Sequence, residues 1–127
     1  MGYCGIMAIP TEDDPADELL LVAIVEMTPE SIVAGQQYED RVLILLGRHG
    51  GTLERRMRSA DGSAEVQVIR FRSRSGLESF MVDPDRLRYR AEAGDAAPAT
   101  RVLEVRDVEP RRTGSTVGEE SRWHQAR

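Results

Sequence analysis

The stretch from Leu19 to Met27, LLLVAIVEM, constrains the fold more than any other part of this chain. Successive side chains of a strand point to opposite faces. Leu19, Leu21, Ala23, Val25 and Met27 therefore share one face and Leu20, Val22 and Ile24 the other, with Glu26 the one polar residue. A strand that is apolar on both faces has to be covered on both. Helices of the same chain can supply one cover, and the second has to come from elsewhere.

The remaining sequence carries helix for one face only. After the strand, TPE sets Thr28 as an N-cap, Pro29 at the first helical position and Glu30 in the first turn. Ile32, Gly35, Tyr38, Val42, Leu45 and Leu46 follow at spacings of three and four, an amphipathic helix of about five turns. Arg48 and His49 close it and Gly50-Gly51 stop it with a left-handed cap. Two strands, TLERRMRS and AEVQVIRFRS, flank ADGS, whose Asp61-Gly62 pair signals a hairpin. SGLE, with Ser75 and Glu78, fits a capping box at the start of a second helix; Asp83-Pro84 interrupts or restarts that helix, and Gly94 ends it. Arg101 to Glu109 reads as a fourth strand. The order β-α-β-β-α-β predicts an α+β, ferredoxin-like fold, a four-stranded antiparallel sheet with two helices on one face. The bare face then predicts a homodimer, sheet against sheet through a twofold axis.

This domain spans residues 19 to 109 of 127, between an acidic leader, residues 1 to 18, and a mobile tail, residues 110 to 127. No membrane span is expected, since the longest apolar run falls far short of the ~20 residues that crossing requires. The start, MGYCGIMAIP, lacks the basic segment of a secretory signal, and Cys4 is the only cysteine, so a cytoplasmic location is expected. All 17 basic residues are Arg, and without Lys no Schiff base can form. A net charge of −5 with 5% aromatic residues argues against nucleic acid as a partner. The chain contains no phosphate loop, dinucleotide fingerprint, G-x-S-x-G or H-E-x-x-H motif, so neither a cofactor nor a metal is expected.

A cleft between sheet and helices is where such a fold can take a small ligand. His49, at the end of the first helix, is the candidate acid or base, or simply a cation on the helix dipole. Tyr38, on the apolar stripe, offers either a catalytic hydroxyl or packing. Strict alternation puts Leu53, Arg55 and Met57 on one face of the second strand and Arg56 and Arg58 on the other, which makes Arg55 a candidate anion clamp for the cleft or a cross-strand partner of a carboxylate. Arg86 and Tyr89, on the second helix, complete the substrate-binding candidates.

VEMTPE at the strand-to-helix start, LLGRHGGTLERR, and VIRFRSRSGLESFMVDPDRLRYRAEA further on resemble the small dimeric α/β-barrel proteins. The resemblance covers roughly residues 19 to 109 and is greatest to a bacterial family of unknown function. Cofactor-free antibiotic-biosynthesis monooxygenases and polyketide cyclases are its relatives. It implies a homodimer binding an aromatic or polyketide-like ligand, with cofactor-free oxygenation, cyclisation or isomerisation as the chemistry. The alternative on the same fold is a non-catalytic module that binds a regulatory ligand or a partner protein.

Overall fold

A computed structural model of the protein describes residues 17–109, so the acidic leader up to residue 16 and the expected tail lie outside the described residues. The elements are β1 (Leu19–Glu26), α1 (Ile32–Ile44), β2 (Gly51–Arg58), β3 (Ala64–Phe71), α2 (Arg74–Met81), α3 (Pro84–Ala93) and β4 (Ala99–Val105). Short 3-10 turns flank α1 at Pro29–Ser31 and Leu45–His49. The strands form one antiparallel sheet in the order β2-β3-β1-β4, the α+β ferredoxin-like arrangement. Among the described residues no helix is long and apolar enough to cross a membrane.

β1 lies at the centre, paired along its whole length with β3. Its inner residues Leu19, Leu21, Ala23 and Val25 are buried, and Ile69 and Phe71 of β3 continue that surface. Leu45, Leu46 and Phe80 close over it from the helical layer. On the other face, Leu20, Val22, Ile24, Val66 and Val68 are half-buried, while Met57 and Leu103 are exposed. Register sets these apolar residues side by side, with Val22 directly opposite both Val68 and Leu103.

Helix ends depart from expectation in two places. Thr28 occupies the N-cap position, but its hydroxyl donates across the fold to the Asp95 carbonyl at 3.2 Å instead of capping. The expected Ser75–Glu78 capping box is not formed. The chain leaves β3 in extended geometry, so the helix starts earlier and Ser73 is the cap, accepting from the Gly76 amide at 3.2 Å. The interruption at Asp83-Pro84 is complete: α2 stops, Asp83 caps α3 through the Asp85 amide at 2.8 Å, and Pro84 takes the first turn. Gly50, at φ 73°, gives α1 and its 3-10 extension the expected left-handed stop. β4 begins two residues earlier and ends four earlier than its sequence pattern, because its ladder with β1 runs only from Leu20 opposite Val105 to Glu26 opposite Ala99.

The largest departure is in β2. Leu53 pairs with Ile69, but Arg55 pairs with Val68, so one extra residue, Glu54, is inserted as a β-bulge. Beyond it every side chain changes face. Arg56 and Arg58 turn towards the helices, and Arg55 joins Met57 on the open face.

Candidate functional site

Between the inner face of the sheet and the helices lies a cavity of about 510 Å³. Leu21, Ala23 and Ile69 form its sheet wall, and Val42, Leu77 and Phe80 are among the apolar residues contributed by the helices. Six polar side chains interrupt this surface: Tyr38, Glu39, Gln67, Arg86, Arg90 and Thr100.

Glu39 is the unusual one. It falls on the buried stripe of α1, four residues after Gly35 and three before Val42, and is itself buried. Its Oε1 accepts from Gln67 Nε2 at 2.9 Å, and the same amide nitrogen donates to Glu65 Oε1 at 3.0 Å. Gln67 therefore spends both N–H groups on two carboxylates. Glu65, fully buried, also accepts from Arg56 Nε at 2.8 Å and Nη2 at 2.9 Å, and from Arg58 Nη2 at 2.6 Å. Arg56 reaches outward to Asp40 at 2.8 Å.

The two carboxyls consequently differ in character. Burial pushes Glu65 up, but the hydrogen bonds from Arg56, Gln67 and Arg58 outweigh it and hold the carboxyl below its ordinary value. Burial also pushes Glu39 up; the Gln67 hydrogen bond opposes this, the Glu65 charge adds to it, and the net shift is upward. A carboxyl with raised proton affinity on the wall of an apolar cavity is a group suited to taking up and returning protons. Tyr38 is buried beside it, and its hydroxyl has no hydrogen-bond partner among the described residues. Arg86 donates to the Met81 carbonyl at 2.9 Å with its guanidinium over the Phe80 ring. With Arg90 it brings two positive charges to the cavity.

Of the residues singled out from sequence, Tyr38 and Arg86 meet in this cavity. Arg55 does not: the bulge turns it to the opposite face, and Arg56 takes the inward direction expected of it. Tyr89 packs against the core beside the cavity, with the Arg41 guanidinium 3.9 Å from its ring centre. His49 lies behind Phe80, edge to face at 6.0 Å, and lines a separate hollow. Glu39, Gln67 and Arg90 were not singled out. Glu39 was legible as a charge on an otherwise apolar helical stripe, and Gln67 as a residue in phase with Ile69 and Phe71. Among the described residues, no three His, Cys, Asp or Glu side chains group closely enough to hold a metal ion.

Solved structures share the fold. SnoaB, a cofactor-independent oxygenase from Streptomyces nogalater, matches with a TM-score of 0.57 at 16% identity, over 75% of this chain and 99% of that one. Rv0793 from Mycobacterium tuberculosis matches with a TM-score of 0.56 at 26% identity, over 73% and 99%. A Nitrosomonas europaea protein, named as a candidate antibiotic biosynthesis monooxygenase, matches with a TM-score of 0.60 at 13% identity, over 74% and 93%. The chain thus has the ferredoxin-like fold of the antibiotic-biosynthesis monooxygenase-like proteins. No protein-family profile matches the sequence, and no curated protein sequence matches it significantly.

Proposed function

We propose that the protein is a cofactor-independent oxygenase acting on a small phenolic or polyketide-like molecule held in the cavity between sheet and helices. The observation that carries this reading is Glu39, a buried carboxyl of raised proton affinity on an apolar wall, facing a cavity that Arg86 and Arg90 also line. Shared fold with SnoaB supports the reaction class. Glu39 removes a proton from the activated carbon or phenol, and the Arg pair balances the charge of the resulting phenolate or enolate. The electron-rich anion then reduces O₂ directly: a CH₂ group becomes C=O, one oxygen atom stays in the product and the other leaves as water. Tyr38 orients the substrate oxygen. A second copy of the chain covers the open sheet face, and the enzyme works in the cytoplasm.

Oxygen uptake with 1,8-dihydroxyanthrone as probe tests this reading. We expect one O₂ consumed per quinone formed, with Glu39→Gln lowering kcat by about 100-fold or more and Arg86→Ala raising KM. Probe binding without oxygen uptake favours the non-catalytic module; uptake that Glu39→Gln leaves unchanged refutes the assignment of the base.

A further inference from the structure

On the far side of Phe80 from the cavity is a polar hollow of about 440 Å³ whose wall includes His49, Arg72, Ser73, Ser75 and Ser79. His49 joins a group on this wall to one buried behind it: Nδ1 lies 2.7 Å from Ser79 Oγ, and Nε2 lies 2.6 Å from Asp83 Oδ2. The three residues come from three segments, the end of the 3-10 turn after α1, the body of α2 and the cap of α3. Their approach depends on Gly76, where an added Cβ would collide with the His49 carbonyl oxygen.

The environment fixes the direction of the proton relay. Asp83 is buried, and it also accepts from Arg48 Nη1 at 3.2 Å and the Asp85 amide at 2.8 Å. The hydrogen bond from His49, together with these, holds its carboxyl down at about 2. A carboxylate can only accept, so Nε2 is the donor to Asp83, and a ring with its one proton there presents the Nδ1 lone pair to Ser79. The Gly76 carbonyl, 3.1 Å from Ser79 Oγ, is the more distant acceptor for the hydroxyl. Ser79 is exposed, so its oxygen is open to a ligand. Arg72 forms no ion pair among the described residues, and its side chain runs across Gly50 on the same wall.

We propose that this hollow is a second catalytic site, in which Ser79 is the nucleophile towards short-chain carboxylic esters. His49 is its base, Asp83 positions the ring, and Arg72 receives the oxyanion. Ser79 Oγ bonds to the ester carbonyl carbon as its proton passes to Nδ1. The tetrahedral intermediate then breaks its bond to the alcohol oxygen, which takes that proton back and leaves as the free alcohol. Water attacks the acyl-serine, gives its proton to Nδ1, and releases the carboxylic acid as the proton returns to Ser79. No residue lining this hollow lines the apolar cavity, so this inference stands or falls independently of the oxygenase reading.

The test uses the full chain with 4-nitrophenyl acetate, and separately with a fluorophosphonate that labels activated serines. We expect saturable hydrolysis, an acetyl or phosphonyl adduct located on Ser79 by peptide mass spectrometry, and a loss of about 100-fold or more in kcat/KM for Ser79→Ala. Ser79 is exposed on a helix, where Ala is well tolerated, so this variant keeps the fold, and matched thermal unfolding checks it. His49→Gln is expected to lose labelling with Ser79 still present. Hydrolysis at the wild-type rate in Ser79→Ala, or an adduct on any other residue, overturns the proposal.

Discussion

Arg56 grips both carboxylate oxygens of Glu65, Nε on Oε1 at 2.8 Å and Nη2 on Oε2 at 2.9 Å, with Glu65 wholly inside the protein. Removing the carboxylate leaves Arg56 and Arg58 pointing inward without their main partner. A fully buried pair broken this way loses several kcal/mol, but both guanidiniums here retain partial access to water. Glu65→Ala is therefore expected to cost about 2–3 kcal/mol in urea unfolding. Asp40→Ala, which removes the exposed end of the same chain of charges, is expected to cost under about 0.5 kcal/mol.

That clamp exists because of the bulge at Glu54, and the bulge was not legible in the sequence. TLERRMR contains adjacent arginines, so shifting the alternation by one residue leaves a polar residue at either position and the pattern carries no signal. Where the alternation was apolar, in β1, the two faces were readable from the chain alone. The His49 stretch was readable as a helix end because Gly50-Gly51 punctuates it. Its partners Ser79 and Asp83 were not, since the contact joins residues 30 and 34 positions apart through the packing of α2 and α3.

Glu39 gives the fold a pH dependence of definite sign. A carboxyl whose folded pKa is raised stabilises the fold while protonated; the contribution is complete below the ordinary value of 4.5 and is lost as pH rises through the folded value. Glu39→Gln keeps an oxygen for the Gln67 amide and cannot ionise. Its thermal midpoint is expected to match wild type below pH 4.5 and to exceed it at about pH 8.

Asp83 gives the opposite slope. Its folded pKa is lowered from 3.8 to about 2, first by the His49 hydrogen bond, so its contribution is present above 3.8 and is lost as pH falls towards 2. Asp83→Asn is expected to be less stable than wild type at neutral pH, with the difference shrinking across that window. Asp61, also held at about 2 by Ser63 and Ser59, titrates in both proteins and cancels in the comparison.

Gly76 permits α2 to rest against the end of the first helix, and a methyl group there meets the His49 carbonyl oxygen, which is backbone and cannot swing aside. Gly76→Ala is expected to destabilise by about 1–3 kcal/mol despite the higher helix propensity of Ala. It is also expected to perturb the His49 ring signals by NMR, whereas Gly47→Ala, where an added Cβ meets nothing within 4 Å, is expected to leave them in place.

The open sheet face yields the last expectation. Leu103, Val22 and Val68 form a row across three strands at its centre, with apolar neighbours along β1 and β3 and no covering layer from the described residues. A face-to-face dimer buries of the order of 800 Å² per protomer, and a carboxylate placed in the middle of that contact has no partner there. Val22→Glu is expected to weaken self-association by about 100-fold or more, read by sedimentation across a concentration series. It should leave the monomer folded, because the substituted side chain points away from the helical layer. Val33→Glu, on a helix surface that is already 64% exposed, is expected to sediment as wild type does. A wild-type chain that is monomeric throughout the series contradicts the reading of this face as the contact between two copies.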